Sequence, residues 1–388
     1  MAPSSSYNPV FANLPTTIFT VMSALATQYG AVNLGQGFPD EDGPEPIRAV
    51  AARALIEGPN QYPPMRGRPE LREAIAAHAK RFYDLNFNPD TEVVVTSGAT
   101  EALTACIMGL AGQGGEVVLI DPAYDSYRPI AEAVGATVRT VTLSPPDWHL
   151  TEEALSAAIT PATRALVINT PMNPIGRVFT REELEIVARV ISRTNATVIC
   201  DEVYEHLVFD SREHIPLMTI PGMRERVVRC GSAGKMFSLT GWKVGWVTGD
   251  AAPIDAIAKT HQFLTFTTPP GLQLGVAHGL EHEIDFTLNL TKELQKNRDL
   301  LAQGLSRLGF EVLPSEGTYF LTAGISALTN EPDRAFCERL VREVGVAAIP
   351  LSVFFTNGKP DRFVRFAFCK RRAVIEDALS RLQSYFAK

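Results

Sequence analysis

Between about residues 90 and 250 the chain repeats one pattern: a short β-branched, apolar run closed by a polar residue, followed by a longer stretch with helical spacing. Six such runs are legible: Glu92 to Thr96, Glu116 to Asp121, Thr163 to Asn169, Ala196 to Asp201, Arg226 to Gly231 and Lys243 to Thr248. Strands alternating with helices predict a mainly parallel sheet, because a parallel crossover needs a helix-length connection. The runs VVVTSG, VVLIDP, ALVINTP and TVICDE are almost continuously hydrophobic, so both faces should be covered by helices. The expected fold class is therefore α/β, a doubly wound, mostly parallel sheet. Ligands in such sheets sit at the carboxyl ends of the strands, where the closing residues here are unusually polar.

Beyond residue 283 the pattern changes. A long helix (Phe286 to Leu308), strands near Phe310–Leu313 and Thr318–Thr322, a helix, and strands near Val346–Ile349 and Phe363–Phe368 predict a smaller α+β domain. The N-terminal stretch has too few periodic residues to fold alone. The expected division is residues 1–48 as an N-terminal arm and part of the small domain, 49–282 as the large ligand-binding domain, and 283–388 as the small C-terminal domain.

Charge narrows the partners. Lys and Arg number 36 against 43 Asp and Glu, a net charge of −7, so the overall field repels phosphate backbones and anionic membrane surfaces. Met1 to Thr20 shows neither a basic start nor a signal-like apolar core, and no membrane span is expected. Five scattered cysteines (Cys106, Cys200, Cys230, Cys337, Cys369) without C-x-x-C spacing point to buried thiols in a reducing compartment, the cytoplasm. His278 and His282 are four apart, but no third ligand is evident, so a solvated helix face and no metal is expected. Neither a dinucleotide-binding G-x-G-x-x-G nor a hydrolase G-x-S-x-G occurs in its required context.

The strongest local signal is GSAGKMFSLTGWKVGW, Gly231 to Trp246. Lys235 lies just beyond an apolar strand among Ser232, Ala233 and Gly234, which leave room for a planar ring. A Schiff-base lysine requires such a partly desolvated setting, because its amine must be neutral to attack. A Walker phosphate loop is excluded, since Met236 stands where Ser or Thr is needed. The whole string resembles the lysine motif of class I aminotransferases, the fold-type I pyridoxal-phosphate enzymes. NLGQGFPD at Asn33 to Asp40 and NQYPPMRG at Asn60 to Gly67 are similar to the kynurenine/glutamine transaminase and methionine aminotransferase branch, and the likeness extends through AIPLSVFF and RFVRFAF.

That resemblance implies a cofactor, pyridoxal 5'-phosphate, and a set of roles. Asp201, closing a buried-looking strand in CDEVYEHLVF, is the candidate to keep the pyridine nitrogen protonated; a helix N-cap is the bland alternative. Tyr204 and Asn173 match the partners of the ring's phenolate oxygen, and Asn173–Pro174 is expected to be cis. In SGATEALTACIMGL the amides of Gly98, Ala99 and Thr100 open a helix and can face a phosphate, with Ser232 and Lys243 as hydroxyl and cationic contacts. Many relatives have Arg at the Lys243 position. Tyr124 matches a ring-stacking aromatic, though it and Tyr127 could be plain core. Tyr62 matches a tyrosine that reaches the phosphate from a neighbouring subunit, implying a homodimer with shared active sites.

For substrate, the resemblance makes Arg365 the clamp on an α-carboxylate and Gly37 a backbone contact to it, while Arg362 is better explained by an internal salt bridge. An unpaired guanidinium among Phe363, Phe366 and Phe368 would be costly to bury, so Arg365 should have a bidentate partner. Phe19, Phe266, Phe354 and Phe355 match side-chain-pocket positions, or simply core. Thr267 stands where kynurenine enzymes carry histidine. The implied activity is transfer of an amino group between an L-amino acid (aromatic, thioether or glutamine-like) and a 2-oxo acid. Arg66 raises the alternative of an acidic donor such as N-succinyl-diaminopimelate, and a cysteine-conjugate β-lyase would share every cofactor residue. A non-catalytic ligand-binding role would predict missing site residues, and none is missing.

Overall fold

The computed structural model describes residues 7–58 and 60–386. One short strand, β1 (Val32–Asn33), precedes the large sheet. That sheet is built from β2 (Val93–Thr96), β3 (Glu116–Asp121), β4 (Thr137–Thr142), β5 (Thr163–Asn169), β6 (Thr197–Asp201), β7 (Val227–Ser232) and β8 (Gly245–Gly249). Its order is β2-β8-β7-β6-β5-β3-β4, with β8 antiparallel to both neighbours and every other pairing parallel. Strands β2, β6 and β7 are buried along nearly their whole length, as sheet strands sandwiched between helices must be. Val118, Leu166 and Val198 belong to one apolar layer and Val117, Ala165 and Ile199 to another, one on each side of the sheet.

Strand β4 was not among the six expected runs. Its sequence TVRTVT alternates, and only Val141 is fully buried, because it lies at the sheet edge where the continuous-hydrophobic pattern does not apply.

Five shorter strands follow: β9 (Glu311–Val312), β10 (Phe320–Gly324), β11 (Val346–Ala347), β12 (Ile349–Pro350) and β13 (Phe363–Ala367). Four of them form an antiparallel sheet in the order β12-β13-β10-β9. The single strand expected at Val346–Ile349 is split: β11 pairs in parallel with β1, Val32 opposite Val346, and β12 joins the antiparallel sheet. That split ties the N-terminal segment to the C-terminal part of the chain. The long helix covers Ile284–Arg307, close to the stretch its spacing predicts.

One feature of the N-terminus bears on the expectation of no membrane span. Pro9–Tyr29 holds an apolar window, mean hydropathy 1.4, long and apolar enough by composition to cross a membrane. The segment nevertheless folds as two helices, Pro9–Asn13 and Ile18–Tyr29, with extended backbone at Leu14 and Thr17 between them. A spanning helix keeps its backbone hydrogen bonds continuous, and this break interrupts them. Tyr7, Phe11 and Leu14 are exposed along this arm. All five cysteines are buried free thiols.

Candidate active site

At the carboxyl ends of β5, β6 and β7 lies a cavity of about 480 Å³, lined by Lys235, Asp201, Tyr204, Asn173, Arg365 and Tyr124 among others. All of these but Arg365, which sits mid-way along the small sheet's Phe363–Ala367 strand, reach it from the end of a strand or the loop that follows, which is why the polar residues closing the apolar runs converge.

Asp201 is the last residue of β6, in register with Asn169 at the end of β5. Asn169 donates from Nδ2 to the Asp201 carbonyl at 2.9 Å and accepts from the Asn173 amide at 2.7 Å, so one side chain fixes both neighbours. No helix starts at Asp201, which removes the N-cap alternative. Its carboxylate accepts from Tyr127 Oη at 2.6 Å. Burial pushes the carboxyl up to about 6, with the Tyr127 hydrogen bond opposing. A cation placed against it would recover that cost. Tyr204 is also buried, and its ring meets Tyr319 edge-on at 5.2 Å.

Lys235 sits in a single helical turn, Ala233–Met236, directly after β7. Burial lowers its amine to about 8, and the positive charges of Lys243 and Arg365 push the same way. A lysine so placed is neutral in roughly a tenth of molecules at pH 7, far more than an ordinary lysine, and neutral is the state a nucleophile or base requires. Its Nζ donates to Tyr319 Oη at 2.9 Å, and Tyr319 donates in turn to the Gly37 carbonyl at 2.6 Å. Gly37 has to be glycine, because a Cβ there would come within 2.4 Å of the Phe320 ring.

Opposite lies an anion cradle. Helix Gly98–Ala111 begins at a glycine with φ +75°, and Gly98, Ala99 and Thr100 line the cavity with the free amides of a first helical turn. Ser232 and Lys243 line the same end; a Cβ on Gly98 would lie 3.3 Å from Lys243 Nζ. A buried carboxylate, an anion cradle some way from it, a lysine of lowered pKa between aromatic walls and a facing tyrosine suit a flat cationic heteroaromatic ring bearing a phosphate. Such is pyridoxal phosphate, and the donor set fits it.

Arg365, 1% exposed on β13, donates to Asn173 Oδ1 at 2.8 Å and to the Gly35 carbonyl at 2.9 Å. Its guanidinium stacks 3.9 Å from the Phe320 ring centroid, and its Nε is buried without a partner. Among the described residues no carboxylate lies within ion-pair distance of it, so none of them supplies the bidentate partner expected for it. Burial lowers its pKa to about 10, still fully charged at neutral pH. The site is poised for an incoming carboxylate.

Of the residues expected here, Lys235, Asp201, Tyr204, Asn173, Gly98, Ala99, Thr100, Tyr124, Ser232, Lys243, Arg365, Gly37 and Phe19 all line the cavity. Three do not. Phe355 is buried against Trp148, ring centroids 6.3 Å apart, and is core. Tyr62 and Phe266 stack on each other at 5.2 Å on an exposed face and do not line the cavity. Among the described residues Arg362 makes no ion pair; backbone carbonyls of Glu331 and Thr329 hold it instead. Arg66 is engaged by Asp255 at 3.1 Å and by the Thr91 carbonyl. The Asn173–Pro174 bond is cis, as expected. Tyr127, Tyr319, Asn169 and Gln36 belong to the site without having been singled out for it. Only their spacing from strand ends could have flagged them, because a tyrosine in an apolar run reads as core.

The family model described as aminotransferase class I and II matches residues 29–382. The solved structure of N-succinyldiaminopimelate aminotransferase from Mycobacterium tuberculosis superposes with a TM-score of 0.95 at 45% identity, covering 98% of this chain and 100% of that one. Methionine aminotransferase of Escherichia coli K12 is 42% identical over 371 residues, 95% of this chain and 96% of its own. The kynurenine–oxoglutarate transaminase of Dictyostelium discoideum is 35% identical over 414 residues, 97% and 94% of the two chains.

The raised Asp201 carboxyl has a measurable consequence. In protein stripped of bound small molecules, the folded chain keeps this proton up to about pH 6, whereas the unfolded chain releases it near 3.8. The native state then binds more protons than the unfolded one, so stability falls as pH rises through that window. Asp201→Asn should abolish a loss of up to about 3 kcal/mol, read as the difference in urea unfolding free energy between pH 4 and pH 7. An unchanged difference in the variant would show that Asp201 is not the group responsible.

Proposed function

Because this chain belongs to the class I and II aminotransferase family, whose members use pyridoxal phosphate, we propose that it moves the amino group of aromatic, thioether or amide-bearing L-amino acids to a 2-oxo acid. The observation that carries the substrate class is the composition of the cavity beside Arg365. Its walls there are Phe19, Phe38, Tyr124 and Phe320 with the amide of Gln36, and Arg365 is the only guanidinium lining it among the described residues. A distal carboxylate would need a second cation, and Arg66, the candidate for it, is held by Asp255.

When bound, the cofactor's conjugated ring supplies a sink for the electron pair left at the substrate's α-carbon. The remaining work falls to the chain's own side chains. Arg365 and the Gly37 segment hold the substrate carboxylate, fixing which bond at the α-carbon faces Lys235. Lys235 Nζ anchors the cofactor and, once released, takes the α-proton and returns it, serving as general base and then acid. Asp201, steadied by Tyr127, holds a proton at the ring nitrogen, while Tyr204 and Asn173 donate to the ring's phenolate oxygen. The amides of Gly98, Ala99 and Thr100, with Ser232 and Lys243, hold the phosphate, and Tyr124 stacks on the ring. On this view residues 49–282 bind the cofactor, and residues 283–388 with the arm 1–48 bring up the carboxylate clamp.

Two further assignments complete the proposal. The exposed pair Tyr62 and Phe266, with Phe263 85% exposed close by in sequence, supports a homodimer in which Tyr62 completes the partner's phosphate site. Sedimentation at micromolar concentration should give a dimer, and a monomer that is fully active would refute the shared site. Five buried, unpaired thiols support a reducing, cytoplasmic setting.

Lys235→Ala should lose transamination by several orders of magnitude and should retain no cofactor covalently after borohydride treatment; either property surviving would overturn the assignment. Donor choice is tested by kcat/KM over methionine, phenylalanine, kynurenine, glutamine and N-succinyl-diaminopimelate. The aromatic and thioether donors are expected to lead the succinylated one by at least about tenfold, the worth of one uncompensated buried charge contact. The reverse order would favour the acidic-donor reading, to which the likeness to the Mycobacterium tuberculosis enzyme lends weight. Pyruvate and ammonia released from a cysteine conjugate, in place of a new amino acid, would favour a β-lyase.

A further inference from the structure

Directly after Tyr204 the chain enters a second polar cluster that takes no part in the chemistry above. Buried Arg229 donates from Nε to Glu202 at 2.5 Å and from Nη2 to Glu205 at 3.1 Å, so two carboxylates face one guanidinium. His78, on helix Pro69–Tyr83, meets His206 across a gap of 128 residues in sequence, their Nε2 atoms 2.7 Å apart and their rings nearly perpendicular at 84°. The ring of Phe82 packs against both, 4.8 Å from His78 and 4.7 Å from His206, and fixes their orientation. One donor atom each from His78, His206 and Glu205 lies within 4.8 Å of the others.

We propose that His78, His206 and Glu205 form a binding site for a divalent cation of borderline softness, Zn²⁺ or a close analogue. Two imidazole nitrogens and one carboxylate oxygen are the donor set such ions prefer, with a fourth position left to water. The protonation states are already those of ligands. Burial pushes His78 down to about 4 and lowers His206 as well, so both rings are neutral at physiological pH. Arg229 Nη2 donates to Glu205 at 3.1 Å, which favours its carboxylate form against the opposing effect of burial. Glu202 and Glu205 both face the one guanidinium of Arg229, with His214 Nε2 also 3.1 Å from Glu202, so the cluster is rich in oxygen acceptors that a cation can use. Glu202 Oε1 and His214 Nδ1 are buried without hydrogen-bond partners, so polar capacity around the ligands is unspent.

The three donor atoms, spread over as much as 4.8 Å, must draw in around an ion. Two nitrogens about 2.0–2.1 Å from one tetrahedral ion stand about 3.3 Å apart, a modest opening of the present 2.7 Å contact. His206 is half-buried, which gives the ion a way in. A bound ion would pin helix Pro69–Tyr83 to the turn that carries Tyr204, and its effect should be on stability.

The test uses the cofactor-loaded enzyme, freed of excess cofactor, incubated with Zn²⁺ and desalted. Elemental analysis should find one zinc per chain, Co²⁺ in its place should give the visible absorption of a tetrahedral site, and the Tm should rise by a few degrees. His206→Ala should lower occupancy at least tenfold and abolish the Co²⁺ spectrum, whereas His282→Ala, on the exposed helix, should change neither. No retained metal, or equal retention in His206→Ala, would show that the two imidazoles share only a hydrogen bond and would overturn the site.

Discussion

Arg365 carries its charge inside a box of aromatic rings. Phe320, Phe19 and Phe354 surround the guanidinium at 3.9, 5.2 and 5.3 Å, and its hydrogen bonds go to an amide oxygen and a backbone carbonyl. Burying a cation without a carboxylate is expensive, and cation–π contact with neutral acceptors repays only part of the cost. Arg365 itself stands on β13 of the small sheet, and its two hydrogen-bond partners come from the loop after β5 of the large sheet and from the segment following β1. The same residue therefore joins the two sheets and the N-terminal segment at one point, and leaves a charge there that a substrate carboxylate can neutralise.

A second chain of bonds runs in parallel. Lys235 reaches Tyr319 on the small sheet's side, and Tyr319 reaches Gly37. Lys235 and Arg365 are thus both referred to one short segment, Gly35 to Gly37. That segment is too close to Phe320 to carry a side chain at Gly37. Desolvation of lysine and carboxyl is the common cause of both perturbed acidities. It lowers Lys235 to about 8 and raises Asp201 to about 6, bringing an amine and a carboxyl toward the neutral range from opposite sides. The fold supplies that dry setting by placing both groups at the ends of buried strands.

Much of the cavity was legible because its members are strand-closing residues in short, distinctive strings. Asp201 and Tyr204 are three apart, Ser232 and Lys235 likewise, and Gly98 opens its helix beside Thr96. The side-chain pocket was not legible. Phe19, Phe355 and Phe266 are all phenylalanines in apolar surroundings, yet one lines the cavity, one is core and one stacks on Tyr62 at the surface. Burial by itself gives no sequence signature that separates these fates. Tyr127 and Tyr319 were hidden for the same reason, and the edge strand β4 because its alternation lacks the continuous apolar run of its neighbours.

The sequence by itself determined the alternation of strand and helix, hence the parallel sheet, and the identity of the groups delivered to its carboxyl ends, because both depend on neighbours within a few residues. Only the tertiary structure decided which distant residues complete those groups. Tyr319 meets Lys235 across 84 positions, Asn173 meets Arg365 across 192 and Gly35 meets Arg365 across 330. Such pairings follow from how sheets and loops pack, where non-directional hydrophobic burial sets the approach and hydrogen bonding selects the partner. No local pattern encodes them.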